Sequence, residues 1–425
     1  MKIALLLLII FLVLLSLRVP IGVSMALSSL LGFLLIGFNL NTVGSMIYTA
    51  IASNSLMSIP GYILAGAIMG NGGISKHLLN ALKAWIGHIP GGIAIVTVLA
   101  CGFFAAITGS SSATIAAIGG MMIPAMVESN YNKPFAMGLV ASAGSLGILI
   151  PPSIPMILYA TVSEQSIGKL FGAGMVPGLV VMGLYTAYII IFTLKKKQGK
   201  LSKANRNERM KLTVKALPGA MLPVFILGGI YSGAMTPTES SAFACFYALF
   251  VSFAIYKEYS IRKFSEAVQE AAKSTATIMF IVTACTMFSL FLTTARIPHQ
   301  VLEIVASSNL NVISLVMICN LIILVLGCFM DGVSIMLIAA PLMVPIVSSL
   351  GYNLIQFGIV MTIGIQLGQL TPPVGMNLFM VSGMEKESVT DVMKGSLPFT
   401  LLLLIVLVLV TAVPQISLLA AGVVG

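Results

Sequence analysis

Charge is scarce in this sequence. Asp, Glu, Lys and Arg make up 8% of its 425 residues, against roughly a quarter in soluble domains. That excludes an ordinary soluble domain. Histidine is scarcer still. His77, His88 and His299 all fall near the edges of apolar runs, and none accompanies the serines of "TGSSSAT". A nucleophilic serine needs a base within reach, so an intramembrane serine hydrolase built on Ser110, Ser111 or Ser112 is the remote alternative. No CxxC occurs. Cys101, Cys245, Cys285, Cys319 and Cys328 lie in apolar segments without a nearby histidine. They read as small packing residues, not as disulfides or metal ligands. No Walker A motif is present, and no polar stretch is long enough to hold an ATPase. Any transport would then be driven by an ion gradient or by nothing internal to the chain.

What is abundant is apolar surface. Hydrophobic residues make up 58% of the chain. A membrane-crossing helix needs about 20 of them in a row, and such runs recur along nearly the whole length. The fold class is an all-α polytopic membrane protein with about ten crossings. Residues 1–17 read as the first membrane helix and not as a signal peptide, because "RVPIG" follows where a small-residue cleavage site would stand. The net charge of +10 comes from loops flanking the apolar runs. The positive-inside rule explains it better than a nucleic-acid partner.

The chain repeats itself at an offset of 221 residues. Met122, Pro124, Tyr131 and Asn132 fall on Met343, Pro345, Tyr352 and Asn353. Leu146, Gly147, Leu149, Pro151 and Pro152 fall on Leu367, Gly368, Leu370, Pro372 and Pro373. Glu164, Gly174 and Pro177 fall on Glu385, Gly395 and Pro398. Apolar matches come cheaply in such a sequence, but prolines in register do not. Upstream the register drifts, with Pro20 of "RVPIG" matching Pro237 of "TPTES". A duplicated membrane unit points to a transporter. The expected division is a first repeat over 1–194, a basic cytoplasmic linker over 195–217 and a second repeat over 218–425.

Helices are expected at about 3–17, 19–38, 54–70, 138–160 and 176–194, with 91–127 left as a re-entrant hairpin. Five crossings per repeat is an odd number, so the second repeat is expected to be inverted. Its hairpin falls at about 308–348 and its broken helix at about 357–381. With the linker inside, both termini lie outside, and 19 of the 22 basic residues fall on the inner side. Lys2, Lys169 and Arg296 remain outside. The charges in 71–90 and 260–274 suggest helices lying at the interface.

Each repeat pairs an interrupted hairpin with a proline-broken helix: "ITGSSSAT" with "GSLGILIPPS", and "GCFMDGVS" with "GIQLGQLTPP". Non-helical backbone at membrane depth survives only where protein or a polar cavity covers it. Its carbonyl oxygens suit a hard cation such as sodium, and half-helix N-termini suit an anion. One cation site per repeat is expected, between hairpin tip and proline break. Asp331 is an acid amid apolar residues. Cation ligand, proton carrier and helix cap are all open to it, and the proton role is the rival to sodium coupling. Glu239 in "MTPTESS" reads as a helix cap. Arg296 reads as an interfacial anchor, with an anion contact as its second possibility.

These hairpins, the "TPTES" turn and the paired "PP" breaks resemble the large membrane subunit, DctM or SiaM type, of the TRAP transporters, the tripartite ATP-independent periplasmic transporters of the ion-transporter superfamily. The resemblance covers essentially the whole chain. It implies sodium-coupled uptake of an organic acid anion, of the C4-dicarboxylate or sialic acid class, across the bacterial inner membrane. It implies no enzymatic activity and no cofactor beyond sodium as coupling ion. It also implies a periplasmic substrate-binding protein, a separate small membrane subunit of DctQ or SiaQ type, and a scaffold with an elevator-like transport domain. A standalone anion transporter of the same fold is the alternative. Carried onto this chain, the sodium sites fall at Ser110, Ser111 and Ser112 with Ser145, Gly147 and Pro151, and at Gly327, Asp331 and Gly332 with Gly368, Thr371 and Pro372. Substrate is implied near Ser110, Ser153, Asp331 and Asn377, with Arg296 as an outlying candidate.

Overall fold

Among the described residues the chain is helical, with no strand. The computed structural model describes every residue except 1–6, 8, 12, 16, 18, 197–202, 298–299, 301–302, 304–310 and 423–425. Lys2, Arg18, His299 and the middle of the expected linker therefore lie outside the described residues. Seven of the described helices are long and apolar enough to cross a bilayer, and the chain is an integral membrane protein. Length alone does not separate spans from hairpin arms. Ser111–Glu128 and Gly332–Ser349, both arms, meet the same criterion.

The first hairpin consists of Gly92–Thr108 and Ser111–Glu128. Its turn is made by Gly109, at φ 61°, and by Ser110, whose hydroxyl accepts from the Ala113 N–H. The second hairpin is Val312–Gly327 and Gly332–Ser349, turned through Asp331. The first broken helix runs Lys133–Gly144, continues as a 3-10 turn over Ser145–Ile148 and resumes at Ile154–Ser163. The second runs Leu354–Gln369 and resumes at Met376–Glu385. Both breaks contain the proline pair, because proline supplies no N–H and its ring obstructs the preceding turn. The left-handed residues Asn130 and Gly351 stand 221 apart and end the second arm of their hairpins alike.

The two sets of elements pack by exchange. Ser111–Glu128 lies on Met376–Glu385, and Gly332–Ser349 lies on Ile154–Ser163. Lys133–Gly144 packs on Val389–Ala412, as Leu354–Gln369 does on Ile167–Lys196. Glycine permits the closest crossing: a Cβ on Gly138 would stand 2.1 Å from the Gly395 carbonyl carbon. Upstream, Ile21–Leu35 packs on Ile261–Thr294, and Ser58–Asn71 packs on Pro237–Phe250. Two lysines bridge the halves. Lys133 Nζ lies 2.9 Å from Glu387 and 3.3 Å from Glu385, and Lys76 lies 3.5 Å from Glu258.

Several expectations need correction. The segment 260–274 is not a separate interfacial helix; it continues into one helix, Ile261–Thr294, about 50 Å long at 1.5 Å per residue. Nothing in it breaks a helix, so the polar and apolar portions propagate together. The linker is also shorter than 195–217. Helix persists through Lys196 and restarts at Arg206. The new helix is docked by Trp85, whose indole N–H donates to Thr213 at 2.8 Å while Arg209 lies over the ring. The helix expected at 176–194 begins at Ile167 and tolerates Pro177. Leu40–Ile51, outside every expected helix, is a helix capped by Asn39. Residues 71–90 do form a helix of their own, Ile74–Ile86.

Candidate functional site

The hairpin tips meet the proline breaks through backbone. Ile154 N–H, just past the first break, donates to the Gly109 carbonyl at 3.3 Å. Gly375 N–H, 221 residues later, donates to the Cys328 carbonyl at 2.9 Å. Each tip is thus stitched to the residue that restarts its broken helix. The approach is close enough to require glycine. A Cβ on Gly147 would stand 2.5 Å from the Ser110 carbonyl oxygen, and one on Gly109 would stand 2.7 Å from that of Pro152. In the second repeat a Cβ on Gly327 would stand 2.6 Å from Gly368 Cα. Ser110, Ser111 and Gly147 therefore come together as expected, and so do Gly327 and Gly368. Pro372 joins them, its carbonyl accepting from the Cys328 thiol at 3.3 Å.

One cavity of about 590 Å³ gathers both tips. Ser110, Ser111 and Ser112 line one side, and Asp331 and Gly332 another. Ser111 is buried and its hydroxyl has no protein partner. Asp331 caps its helix, accepting from the Val333 and Ser334 N–H groups at 3.1 and 3.3 Å, and from the Ser334 hydroxyl. Of the three roles open to Asp331, the helix cap is present, and it stands in the cavity. At the first tip the cap is neutral Ser110. One tip therefore faces the cavity with a carboxylate over its helix N-terminus, and the other with bare serine and N–H dipoles.

Other predicted residues stand apart from the cavity. Ser153 is fully buried; its hydroxyl donates to the Ile148 carbonyl at 2.7 Å and caps Ile154–Ser163. Asn377 is fully buried with neither end of its amide paired. Neither lines the cavity. Ser145 donates to the Ser142 carbonyl and Thr371 to that of Leu367, so their hydroxyls bridge backbone. Pro151 is buried in the break. Arg296 is exposed just past the long helix Ile261–Thr294 and does not reach the cavity; an apolar helix end leaves it free to seek solvent. Glu239 forms the capping box with Thr236, whose N–H donates to it at 2.8 Å.

The sequence reading missed Glu270, Ser274 and Gln369, which also line the cavity. Glu270 and Ser274 lie four residues apart on Ile261–Thr294, on one helix face with Ile278. That spacing was visible, but the segment was read as lying at the interface. Gln369 was visible as an amide in an apolar run. The cavity lining includes no histidine or lysine. Among the described residues no cluster of His, Cys, Asp and Glu could hold a metal ion.

Two helical hairpins meet two broken helices around one cavity, inside an apolar helical chain. The chain belongs to the family of the tripartite ATP-independent periplasmic transporter, DctM component, whose match covers residues 8–416. It is 41% identical to the C4-dicarboxylate TRAP transporter large permease protein DctM of Pseudomonas aeruginosa, over 86% of this chain and 85% of that one. It is 38% identical to the isethionate TRAP transporter permease protein DctMQ of Oleidesulfovibrio alaskensis, over 95% of this chain and 64% of that one. Other relatives are named as ectoine and sialic acid permeases. Relatives are thus named as permeases, and this chain is a transporter subunit, not an enzyme. The crystal structure of the YdaH transporter of Alcanivorax borkumensis shares the fold, with a TM-score of 0.63 at 14% identity, covering 87% of each chain.

Proposed function

We propose that this permease imports an organic acid anion with sodium, in a bacterial inner membrane, by an elevator-like movement of the hairpins and broken helices against the remaining helices. The observation that carries the reading is the single cavity holding both hairpin tips. Its volume lies within the roughly 300–1,000 Å³ of small-ligand sites. The Ser110 tip, with serines and unspent helix N–H groups, suits a carboxylate. Asp331 and the carbonyls near the breaks suit a cation. A chain 41% identical to a permease named for C4-dicarboxylates makes that class the first to test, with sialic acid second.

The reciprocal packing supports two repeats related by a two-fold axis, and the odd number of crossings expected in each makes the second inverted. The ion pairs support the orientation. Lys133 and Lys76, assigned to the inner side, meet acids flanking Lys386 and Lys257, assigned to the same side. The tripartite description of the family supports two partners: a periplasmic binding protein that delivers the anion, and a small membrane subunit. Both termini are read as periplasmic.

Uptake of labelled C4-dicarboxylate and of sialic acid, by the permease reconstituted with its binding protein and small subunit, tests this. Uptake should require an inward sodium gradient. Uptake driven by a proton gradient without sodium would instead make Asp331 a proton carrier. Uptake without the binding protein would make the chain a standalone transporter.

A further inference from the structure

The two broken helices are joined at equivalent positions. Gln366 Nε2 donates to the Ser145 carbonyl oxygen at 2.9 Å, and these residues stand 221 apart, the repeat offset. A residue meets its own counterpart only close to a two-fold relation. A second pair agrees. Gln369 Nε2 and Ile148 Cδ1, also 221 apart, both come within 3.5 Å of where a Gly332 Cβ would stand. The side chains break the symmetry, because a glutamine faces a serine and another faces an isoleucine.

Gln366 is completely buried, and its Oε1 has no protein partner. An unpaired buried amide oxygen is disfavoured, so packing alone does not account for glutamine here. Its one bond has an informative course. Ser145 opens the 3-10 turn that carries Gly147 against Ser110, within the first candidate cation site. Gln366 lies in the last turn of Leu354–Gln369, which delivers Gly368, Thr371 and Pro372 to the second. A single side chain therefore connects the backbone of one site to the helix that forms the other.

We propose that Gln366 is a positioning residue that couples the two cation sites. A cation drawing on the Ser145–Ile148 turn reorients the Ser145 carbonyl. Gln366 follows, and the end of Leu354–Gln369 moves with it, so that occupancy of one site raises affinity at the other. Coupling of this kind is reciprocal. The proposal rests on the sodium reading above and adds to it a named link.

The test measures substrate uptake against sodium concentration in vesicles holding the complete transporter, together with the thermal stability of each protein. Wild type should give a sigmoidal curve. Gln366→Met, of similar length without the amide, should give a hyperbolic curve. Its half-saturating sodium concentration should rise at least about fivefold, a usual scale for such coupling, with its melting temperature little changed. Gln366→Asn, which keeps the amide but withdraws it by one methylene, should behave like Gln366→Met. No response of wild type to sodium would remove the sodium reading itself. A sodium-dependent but hyperbolic wild type, or a sigmoidal curve in a folded variant, would overturn the coupling alone. So would failure of both variants to fold, because the bond would then be structural.

Discussion

Asp331 does two things that substitution can separate. Its carboxylate caps Gly332–Ser349 through two backbone N–H groups, and it also puts a negative charge in the cavity. Loss of an N-cap costs about 1 kcal/mol. Asp331→Ala removes cap and charge together. Asp331→Ser keeps a capping oxygen, as Ser110 does at the first tip, and removes only the charge. Both variants are expected to abolish uptake, with Asp331→Ser closer to wild type in melting temperature. Normal uptake by Asp331→Ser would leave Asp331 as a cap. Glu270 differs, because it stands exposed on a helix facing the tips and acts only through its field. Glu270→Gln should raise the sodium concentration for half-maximal uptake at low ionic strength. The effect should fade as screening grows near 1 M salt, where the Debye length is about 3 Å. An effect independent of salt would argue for a direct contact.

The hairpin and its broken helix form one device, held by close backbone approach. At Gly147 a methyl group has nowhere to go, because its neighbours at 2.5 to 2.8 Å are backbone atoms of Ser110 and Ser111. Gly147→Ala should cost on the order of 1–3 kcal/mol and weaken sodium dependence, read by melting and uptake. Unchanged uptake would uncouple this contact from the cation site. Pro151→Ala with Pro152→Ala acts from the other side. Helix can partly re-form through the break and withdraw its carbonyls, so sodium affinity should fall; unchanged affinity would leave the prolines as packing. This device was legible in the sequence, because proline pairs and glycines in register carry position as well as composition. The first hairpin, expected over about 91–127, spans 92–128. Less legible was whatever depends on a partner element. Leu40–Ile51 is short and without a strong boundary in the text, yet Asn39 caps it. Ser153 and Asn377 follow the breaks in sequence, yet neither lines the cavity. Glu270 was hidden because a charged helical segment reads the same at an interface as beside a cavity.

At the scale of the whole chain, the exchange of partners between repeats has a consequence for topology. If the repeats were parallel, equivalent positions would lie on one side of the membrane; if inverted, on opposite sides. Lys169 and Thr390 provide the comparison. They stand 221 apart, near the starts of Ile167–Lys196 and Val389–Ala412, and neither is buried. Four of the five native cysteines are buried and all are free, so they can be replaced by small residues before single cysteines are introduced. The ion pairs that bridge the halves should survive such handling. Hydrogen bonding to Glu387 holds the Lys133 ammonium above its usual range, so its charge is kept below the ordinary lysine pKa of about 10.4 and lost only above it. In intact cells, a membrane-impermeant thiol reagent should label Lys169→Cys from outside and leave Thr390→Cys untouched until the membrane is opened. Equal labelling of both would mean parallel repeats. The two cation sites would then lose the opposed geometry that lets both breaks reach the same depth.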